Sequence, residues 1–395
     1  MDRFPFLTKQ FYPYSIAPEE LERRQKATLA EMEKQGIDVL VMQTNIGWLG
    51  GAFSYLTDIH CQSYPYYGLF SKYGVEVYGH GVHGTDPMPP YLKPVNTCHA
   101  EARPYVPSIT QIDYCHASDM CNSIKEHGFK KIGLVGMGYI TANVYKYLTE
   151  NLPDCEFVNA SEITDHLRAC KSDYELELFM NCIHIHDRVL AAAPALLQPG
   201  RTEYEVVTDI NNIAFKLGCP ICNVMIGSHP THPQIKPYQY TNKVIDKDDT
   251  ILILFELCTP WYTWGEVGRM FSFKKPSDKV MDAYKQVLEA QDYNASLSVP
   301  GAQPSEILAK LNEKLTGWGY APEQRLGLHS QSCDIVDRPT WTPEETMPLE
   351  ENMFFANHPG CGNKEVFTWV CDNYLVKPGG AVRLNECSRD LVWIK

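Results

Sequence analysis

The pattern of apolar and polar positions predicts alternating helices and strands along most of the chain. Residues 18–35 read as an amphipathic helix, because Pro18 and two glutamates lie in its first turn and Gly36 follows its end. Short apolar runs then predict a buried strand at residues 37–43 and a second strand at residues 66–71, and residues 130–138 predict a strand followed by a glycine turn.

Longer segments follow in the second half of the chain. Helices are predicted at residues 173–197, 202–217, 277–299 and 304–318, and a strand-rich tail ends the chain. The first of these helices begins with a capping box, because Ser172 is followed three positions later by Glu175. A chain of 395 residues is too long for one ordinary core. We therefore expect a mixed α/β (α+β) protein with two domains, residues 1–160 and 161–395.

The second half of the chain is organised around one apolar stretch that carries two acidic residues. Residues 251–257 and 262–273 predict the two strands of a hairpin, with Glu256 in the first and Glu266 in the second. Burial of a carboxylate is costly, so two acids here indicate a functional site. Such a pair can bind a divalent cation, share a proton or bind a cationic substrate. The alternative is structural, with Glu266 paired to Arg269 and Glu256 at an edge.

Aromatic residues precede the second acid. Tyr262, Trp264 and Glu266 alternate onto one face if this segment is a strand, so two rings would line a pocket beside the carboxylate. Aromatic faces bind cations such as guanidinium, ammonium or sulfonium groups. The alternative is that both rings belong to the core.

A histidine-bearing loop precedes the hairpin. In GSHPTHP, His232 lies between Thr231 and Pro233, in a loop that separates two predicted strands. A histidine side chain suits proton transfer at neutral pH, because the ordinary pKa of this residue type is about 6.5. We predict His232 as a general base, with His229 of the same loop as the second candidate. A surface histidine without a role is the alternative.

Composition narrows the class of partner. The formal net charge of −13 disfavours nucleic acid and anionic membranes, and it favours a cationic or zwitterionic small substrate. The sequence shows neither a leader pattern nor an apolar run long enough to span a bilayer, so we expect a cytoplasmic protein. The 14 cysteines have no framework spacing, which predicts reduced thiols.

The order of these motifs resembles a known family. RACKSDYELELF, GSHPTHP, EVGR, GLHSQS, ANHPG and VCDNYLV follow one another as in the pita-bread fold shared by creatinase, prolidase, aminopeptidase P and methionine aminopeptidase, the M24 peptidase group. The segments FYPYSIAPEELERRQKATLAEMEKQGIDVLV and NIGWLGG resemble the creatinase N-terminal domain. The resemblance implies a creatinase-type N-terminal domain before a pita-bread catalytic domain.

The resemblance also implies a changed site. Metallopeptidases of this fold bind two metal ions with two aspartates, one histidine and two glutamates. The matching positions here are Glu256, Glu266, His329, His358 and Cys371. Creatinase and the ectoine hydrolases of this fold work without metal, so we expect a site without cofactor. The alternative is a single Zn²⁺ or Fe²⁺ on these five residues.

The function expected from the resemblance is metal-independent hydrolysis of a guanidine, amidine or amide C–N bond. His232 would activate water and Glu266 would bind the substrate nitrogen or act as a nucleophile, with His329 and His358 as further catalytic groups. Substrate-binding candidates are Glu256, Tyr262, Trp264, Cys371 and Tyr64.

The family also implies a homodimer in which the active site lies near the partner's N-terminal domain. In creatinase-like enzymes that domain supplies an arginine, but residues 61–67 here contain none, and Tyr64 or Gln62 would take its place. Three other functions stay open. They are a pita-bread lyase acting on a sulfonium or ammonium substrate such as dimethylsulfoniopropionate, an M24 peptidase with an altered metal-ligand set, and a binding module without catalysis.

Overall fold

The computed structural model describes residues 15–44, 49–60, 64–81, 95–104, 109–237 and 242–394. The chain divides into two compact units, Met1–Arg168 and Ala169–Lys395. This division follows Arg168, eight residues after the boundary that the sequence predicts.

The first unit alternates strands and helices. Its elements are α1 (Pro18–Gln35), β1 (Val39–Gln43), α2 (Gly51–Thr57), β2 (Tyr67–Ser71), β3 (Gly74–Gly81), β4 (Thr97–Pro104), α3 (Ile109–His127), β5 (Lys131–Leu134), α4 (Ala142–Asn151), β6 (Glu156–Asn159) and α5 (Ser161–Ala169). In the described part of this unit the six strands form one sheet of order β4-β3-β2-β1-β5-β6. Apolar side chains of the central strands pack against helices α3 and α4.

The bounds of α1 agree with those predicted from the sequence. Pro18 occupies the first turn, and Gly36 ends the helix in the left-handed conformation with φ 64°. Glycine is favoured there because it has no Cβ to clash at positive φ.

The second unit contains the remaining elements. They are α6 (Asp173–Ala192), α7 (Glu203–Lys216), β7 (Ile221–His229), β8 (Lys236–Pro237), β9 (Thr250–Cys258), β10 (Trp264–Ser272), α8 (Asp278–Leu297), α9 (Pro304–Gly317), β11 (Leu328–Ser330), β12 (Asp337–Thr340), β13 (Phe354–Asn357), β14 (Gly360–Gly362), β15 (Phe367–Trp369), β16 (Asp372–Leu375), β17 (Val382–Arg383) and β18 (Val392–Trp393). A short 3₁₀ turn, Ala193–Ala195, follows α6.

Two sheets of the second unit meet at strand β10. One has the order β18-β10-β9-β7-β8 and the other the order β12-β11-β13-β16-β17. They are joined where Gly268 of β10 pairs with Cys371, just before β16. Side chains from both sheets therefore converge near this junction.

The hairpin of β9 and β10 forms the centre of the unit. All nine residues of each strand are buried, as expected for strands covered on both faces. Behind the hairpin, Nε2 of His186 on α6 lies 2.7 Å from the carbonyl oxygen of Gly265. This contact links the helix to β10.

Several predicted boundaries differ from the structure by a few residues, and two of these differences have a clear physical reason. Helix α6 ends at Ala192 rather than at residue 197, because Pro194 has no N–H to continue the α-helical hydrogen bonds. Strand β10 begins at Trp264 rather than at residue 262. Tyr262 has φ 53° and belongs to the turn, so the predicted alternation does not extend to it.

Among the described residues, no helix has the length and apolar character needed to cross a membrane.

A carboxylate beside β12 allows the pH dependence of the protein's folding stability to be tested. Glu345 is buried and accepts hydrogen bonds from Arg338 (Nη2 to Oε1, 2.6 Å) and from the N–H groups of Thr340 and Met347 (2.9 Å each). Burial acts to raise the pKa of Glu345, but these donors outweigh it and lower the pKa to about 2.

We therefore expect Glu345→Gln to lower the free energy of unfolding at about pH 7 by about 1–3 kcal/mol. Because the folded-state pKa lies below the unfolded one, this stabilisation is complete above the unfolded pKa and is lost as pH falls toward 2. Urea unfolding at several pH values measures it, with the exposed neighbour in Glu344→Gln as the control. A loss in Glu345→Gln that stayed constant down to pH 3 would contradict the assignment.

Candidate functional site

The candidate site is built around Glu266 in the middle of β10. Its partner directly across the hairpin is Glu256 of β9, so the two acids predicted from the sequence lie on the same face. Glu266 is fully buried and Glu256 is 7% exposed. The Glu256 carboxyl accepts a hydrogen bond from the amide of Asn223 on β7.

The main chain at Glu266 is fixed by one amide side chain. Oδ1 of Asn373 on β16 accepts the Glu266 N–H (3.0 Å), and its Nδ2 donates to the Glu266 carbonyl oxygen. Asn385 in turn accepts a hydrogen bond from Nδ2 of Asn373 (2.9 Å). The position of residue 266 is thus set by bonds that do not involve its own side chain.

The Glu266 carboxylate is surrounded by polar side chains. Its Oε1 lies 3.0 Å from Nε2 of His329 and accepts a hydrogen bond from Nε2 of Gln331 (2.8 Å). Its Oε2 lies 3.5 Å from Nε2 of His358 and 3.7 Å from Sγ of Cys371. The structure therefore places five predicted site residues together: Glu256, Glu266, His329, His358 and Cys371.

The two histidines reach Glu266 from neighbouring parts of the second sheet. His329 lies in β11, and His358 directly follows β13, with its N–H bonded to the carbonyl oxygen of Gly327 (2.9 Å). Their rings are 5.2 Å apart at 71°. Nδ1 of His329 lies 3.1 Å from the Ser330 carbonyl oxygen, whereas neither nitrogen of His358 has a hydrogen-bond partner among the described residues.

Burial and neighbouring charge set the electrostatics of the site. Burial alone acts to raise the pKa of Glu266, but the two histidines outweigh it and the pKa lies below its usual value. Burial and the charge of Glu266 raise the pKa of Glu256 and that of Cys371 well above their usual values. Burial acts to lower the pKa of His329, but Glu266 raises it overall, while burial lowers the pKa of His358 to about 3.

A buried ion pair lies beside the site. Nη2 of Arg269 is 2.6 Å from Oδ1 of Asp372, and neither side chain is exposed. Nη1 of Arg269 also donates to the carbonyl oxygen of Cys371 (2.7 Å). Arg269 therefore pairs with Asp372 rather than with Glu266, and it ties β10 to the start of β16.

The aromatic candidates pack into the core. Trp264 is buried in an apolar cluster with Cys258 and Ile335, against which Tyr262 packs. Trp369 is also buried and lies against Gly268, where a Cβ would come within 2.1 Å of Cζ3 of its ring. Only glycine fits at this close approach. A role of Tyr262 and Trp264 in binding a substrate stays a prediction.

The predicted base has different neighbours. His232 is half-buried, with Nδ1 2.9 Å from the Thr231 hydroxyl and Nε2 3.0 Å from the Asn363 carbonyl oxygen. It does not belong to the group of ligand atoms around Glu266, and its role as base stays a prediction. Tyr64 is half-buried in the first unit, and Gln62 lies outside the described residues.

Sequence analysis missed two residues that support Glu266. Gln331 follows His329 by two positions, and Asn373 follows Cys371 by two. Side chains two positions apart share a face of a strand. A search two positions from each predicted site residue could therefore have identified both Gln331 and Asn373.

Three of the predicted metal ligands are close enough to bind one ion. A carboxylate oxygen of Glu266 and one ring nitrogen each of His329 and His358 all lie within 4.8 Å of one another. Among the described residues, Glu256 and Cys371 do not belong to this group. That the protein works without a metal ion stays a prediction.

Comparison with known proteins supports the resemblance seen in the sequence. Residues 177–387 match the model of metallopeptidase family M24. The chain is 24% identical over 243 residues to an Xaa-Pro dipeptidase of Pyrococcus furiosus, covering 60% of this chain and 69% of the relative. Proteins named as dipeptidases in Bacillus subtilis and Mycobacterium bovis are matched over 66% and 63% of their own length, slightly under two thirds.

One relative matches over nearly its whole length. An ectoine hydrolase of Halomonas elongata is 23% identical over 405 residues, covering 94% of this chain and 97% of the relative.

Solved structures share the fold. An Xaa-Pro dipeptidase from Bacillus anthracis superposes with a TM-score of 0.76 at 19% identity, covering 94% of this chain and 99% of that one. A prolidase from Thermococcus sibiricus gives 0.78 at 17% identity, covering 96% and 100%. The predicted fold, an α/β N-terminal domain before a pita-bread domain, is confirmed.

Loss of the buried ion pair beside the site should destabilise the protein. We expect Arg269→Met to lower the free energy of unfolding by about 3–5 kcal/mol, because it leaves Asp372 buried with one partner fewer. The double variant Arg269→Met/Asp372→Asn should recover part of this loss. Urea denaturation of both variants checks this. If Arg269→Met were as stable as the parent chain, the pair would not connect β10 to β16 energetically.

Proposed function

The chain belongs to metallopeptidase family M24, and on that premise we propose that this hydrolase cleaves a C–N bond of guanidine, amidine or amide type in a small, non-peptide substrate. The similarity to an ectoine hydrolase over 94% of the chain supports this class of substrate, whereas the match to the Xaa-Pro dipeptidase of Pyrococcus furiosus covers 60%. The net charge of −13 favours a cationic or zwitterionic substrate.

The observation that carries the proposal is the make-up of the buried site. Glu256 and Glu266 face each other across the hairpin, and His358 has two ring nitrogens without a partner among the described residues. A carboxylate binds N–H groups of an amidine or amide, and an imidazole transfers protons at neutral pH. These are the groups that hydrolysis of a C–N bond requires.

The geometry supports a division of roles. Glu266 is fixed by Asn373, His329 and Gln331, so it forms the rigid centre against which a water would be positioned. His329, whose pKa Glu266 raises, would transfer a proton, and His358 would contact the substrate through a ring nitrogen that has no hydrogen-bond partner among the described residues. Glu256, on the opposite strand, would accept a hydrogen bond from the substrate nitrogen and orient the bond to be cleaved.

Two further expectations belong to this proposal. His232 stays the candidate base of the creatinase-like mechanism, since its loop reaches β15 through the hydrogen bond from Phe367 N–H to the Thr231 carbonyl oxygen (2.9 Å). A homodimer with Tyr64 near the partner's site stays a prediction from the family resemblance.

The substrate class is tested with a small panel of candidate substrates. We expect turnover of ectoine or creatine, detected as new amine or urea products, with kcat/KM at least about 100-fold above that for the dipeptide Gly-Pro. Dimethylsulfoniopropionate is included to detect a lyase. Faster cleavage of Gly-Pro would favour a peptidase, and release of dimethyl sulfide alone would favour the lyase. Either result would overturn the proposal.

Substitutions test the roles of individual side chains. Their activity is measured on the substrate that the panel identifies. We expect Glu266→Gln and His358→Asn to lower kcat by about 10²–10⁴-fold, and Glu256→Gln mainly to raise KM. Glu177→Gln and His184→Ala change exposed residues of α6 and serve as matched controls.

His232→Ala in the same assay tests the predicted base. We expect kcat to fall by about 10²-fold or more if His232 activates water. An unchanged kcat would remove His232 from the mechanism and leave His329 as the group that transfers the proton.

A further inference from the structure

We propose that Arg325 binds the carboxylate of a zwitterionic substrate and so determines which C–N compounds the site accepts. The inference rests on the proposed function for the place of the reacting bond, and it names the group that recognises the other end of the same molecule. The guanidinium that residues 61–67 lack would then come from the second unit.

The buried carboxylate of Glu323 holds the Arg325 guanidinium in one orientation. Nε of Arg325 donates to Oε1 (2.9 Å) and Nη2 donates to Oε2 (2.5 Å), while the main-chain N–H of Arg325 also donates to Oε1 (3.0 Å). The Glu323 side chain is 3% exposed, whereas that of Arg325 is 40% exposed. These hydrogen bonds leave Nη1 for another acceptor, so a second carboxylate can bind at the open edge of the guanidinium.

Two neighbouring segments support the guanidinium. Its Cζ lies 5.5 Å from the centre of the Phe367 ring, and a Cβ on Gly360 would come within 2.6 Å of Nη2. A larger residue at position 360 would therefore displace the guanidinium. The N–H of Gly360 also donates to Oε2 of Glu323 (3.1 Å). The place of Arg325 is thus set by an acid, a ring and the first residue of β14.

These contacts place the guanidinium beside the buried site around Glu266. The carbonyl oxygen of Gly327, two positions after Arg325, accepts the N–H of His358 (2.9 Å), and Gly360 follows His358 by two positions. Burial lowers the pKa of His358 to about 3, and the charge of Arg325 adds to this shift. The guanidinium is therefore near enough to His358 for its charge to act on a group of the site.

The loop of the predicted base meets the same support. The Phe367 N–H donates to the carbonyl oxygen of Thr231 (2.9 Å), and Nε2 of His232 lies 3.0 Å from the Asn363 carbonyl oxygen. Strands β14 and β15 therefore connect Arg325 with the loop that carries His232. Since the Arg325 side chain is partly exposed, it lies where an entering substrate can reach it.

The charges of these groups fit a zwitterion. The carboxylates of Glu256 and Glu266 accept hydrogen bonds from N–H groups of an amidine or guanidine, whereas the planar fork of Arg325 matches a carboxylate. A substrate with a nitrogen group at one end and a carboxylate at the other satisfies both. A substrate that lacks the carboxylate leaves Arg325 without its second partner, and the site should discriminate against it.

Matched pairs of ligands test the inference on the full chain. Ectoine, creatine, Gly-Pro and dimethylsulfoniopropionate each carry a carboxylate, and each is compared with its primary amide. The readout is kcat/KM for compounds that react and the Kd from calorimetry for those that do not. We expect the parent chain to prefer the acid over the amide by about 100-fold, because the amide loses a charge-assisted bidentate contact.

Variants assign this preference to Arg325. Arg325→Met should reduce it to less than about 5-fold, whereas Arg325→Lys, which keeps the charge but not the fork, should retain about 10-fold. Glu323→Gln, which loosens the guanidinium, should lower the preference without removing it. Arg201→Met is the matched control, because Arg201 is a half-buried arginine paired with Asp209 (2.7 Å). It should keep the preference of the parent chain.

A purely structural role of Arg325 gives a different result. Arg325→Met would then lower kcat/KM for acid and amide equally, together with Tm, and the ratio of the two would stay that of the parent chain. This outcome would refute the inference. A parent chain that binds none of the four acids, or prefers none of them over its amide, would also overturn it.

The outcome can be separated from the reaction. A chain that hydrolyses ectoine or creatine, but keeps the full preference for the acid in Arg325→Met, would refute this inference and leave the proposed function standing. A chain that turns over only Gly-Pro, and loses the preference in Arg325→Met, would do the reverse.

Discussion

The burial of one carboxylate, Glu266, is the constraint on which the second unit depends. Removing a carboxylate from water costs roughly several kcal/mol unless other groups compensate for its lost hydration. Here the compensation comes from the other sheet, through His329 and Gln331 at the end of β11, while Asn373 on β16 of that sheet binds the main chain of residue 266. The two sheets must therefore meet at one point, and the buried pair of Arg269 and Asp372 closes the same junction. Fold and site are stabilised by the same contacts.

Local patterns in the sequence were sufficient for the parts of this arrangement that lie within one segment. Apolar runs and capping signals predicted the hairpin, helix α1 and the start of α6, and the motif order predicted the fold. That Glu256 and Glu266 share a face follows from the period of a strand once the hairpin is recognised. The errors were also local: Pro194 ends α6 early, and Tyr262 enters a turn that no apolar pattern marks.

The convergence of the histidines could not be predicted from periodicity. His329 and His358 lie 63 and 92 positions beyond Glu266 along the chain, and only the pairing of β11 with β13 brings them together. The family resemblance identified these residues, but their distances and the lack of a partner for His358 depend on tertiary packing. The surroundings of Trp264 likewise depend on it, since core and pocket aromatics look alike in a sequence.

The amide of Asn373 recognises only the main chain of residue 266, and this has a consequence for the history of the site. The two hydrogen bonds of Asn373 at this position do not involve the carboxylate, so they can persist when the side chain changes. Acids, imidazoles and thiols can then replace one another around a fixed frame without a rearrangement of the strands. Such a frame allows a lineage to change its reaction through single substitutions while the architecture stays intact.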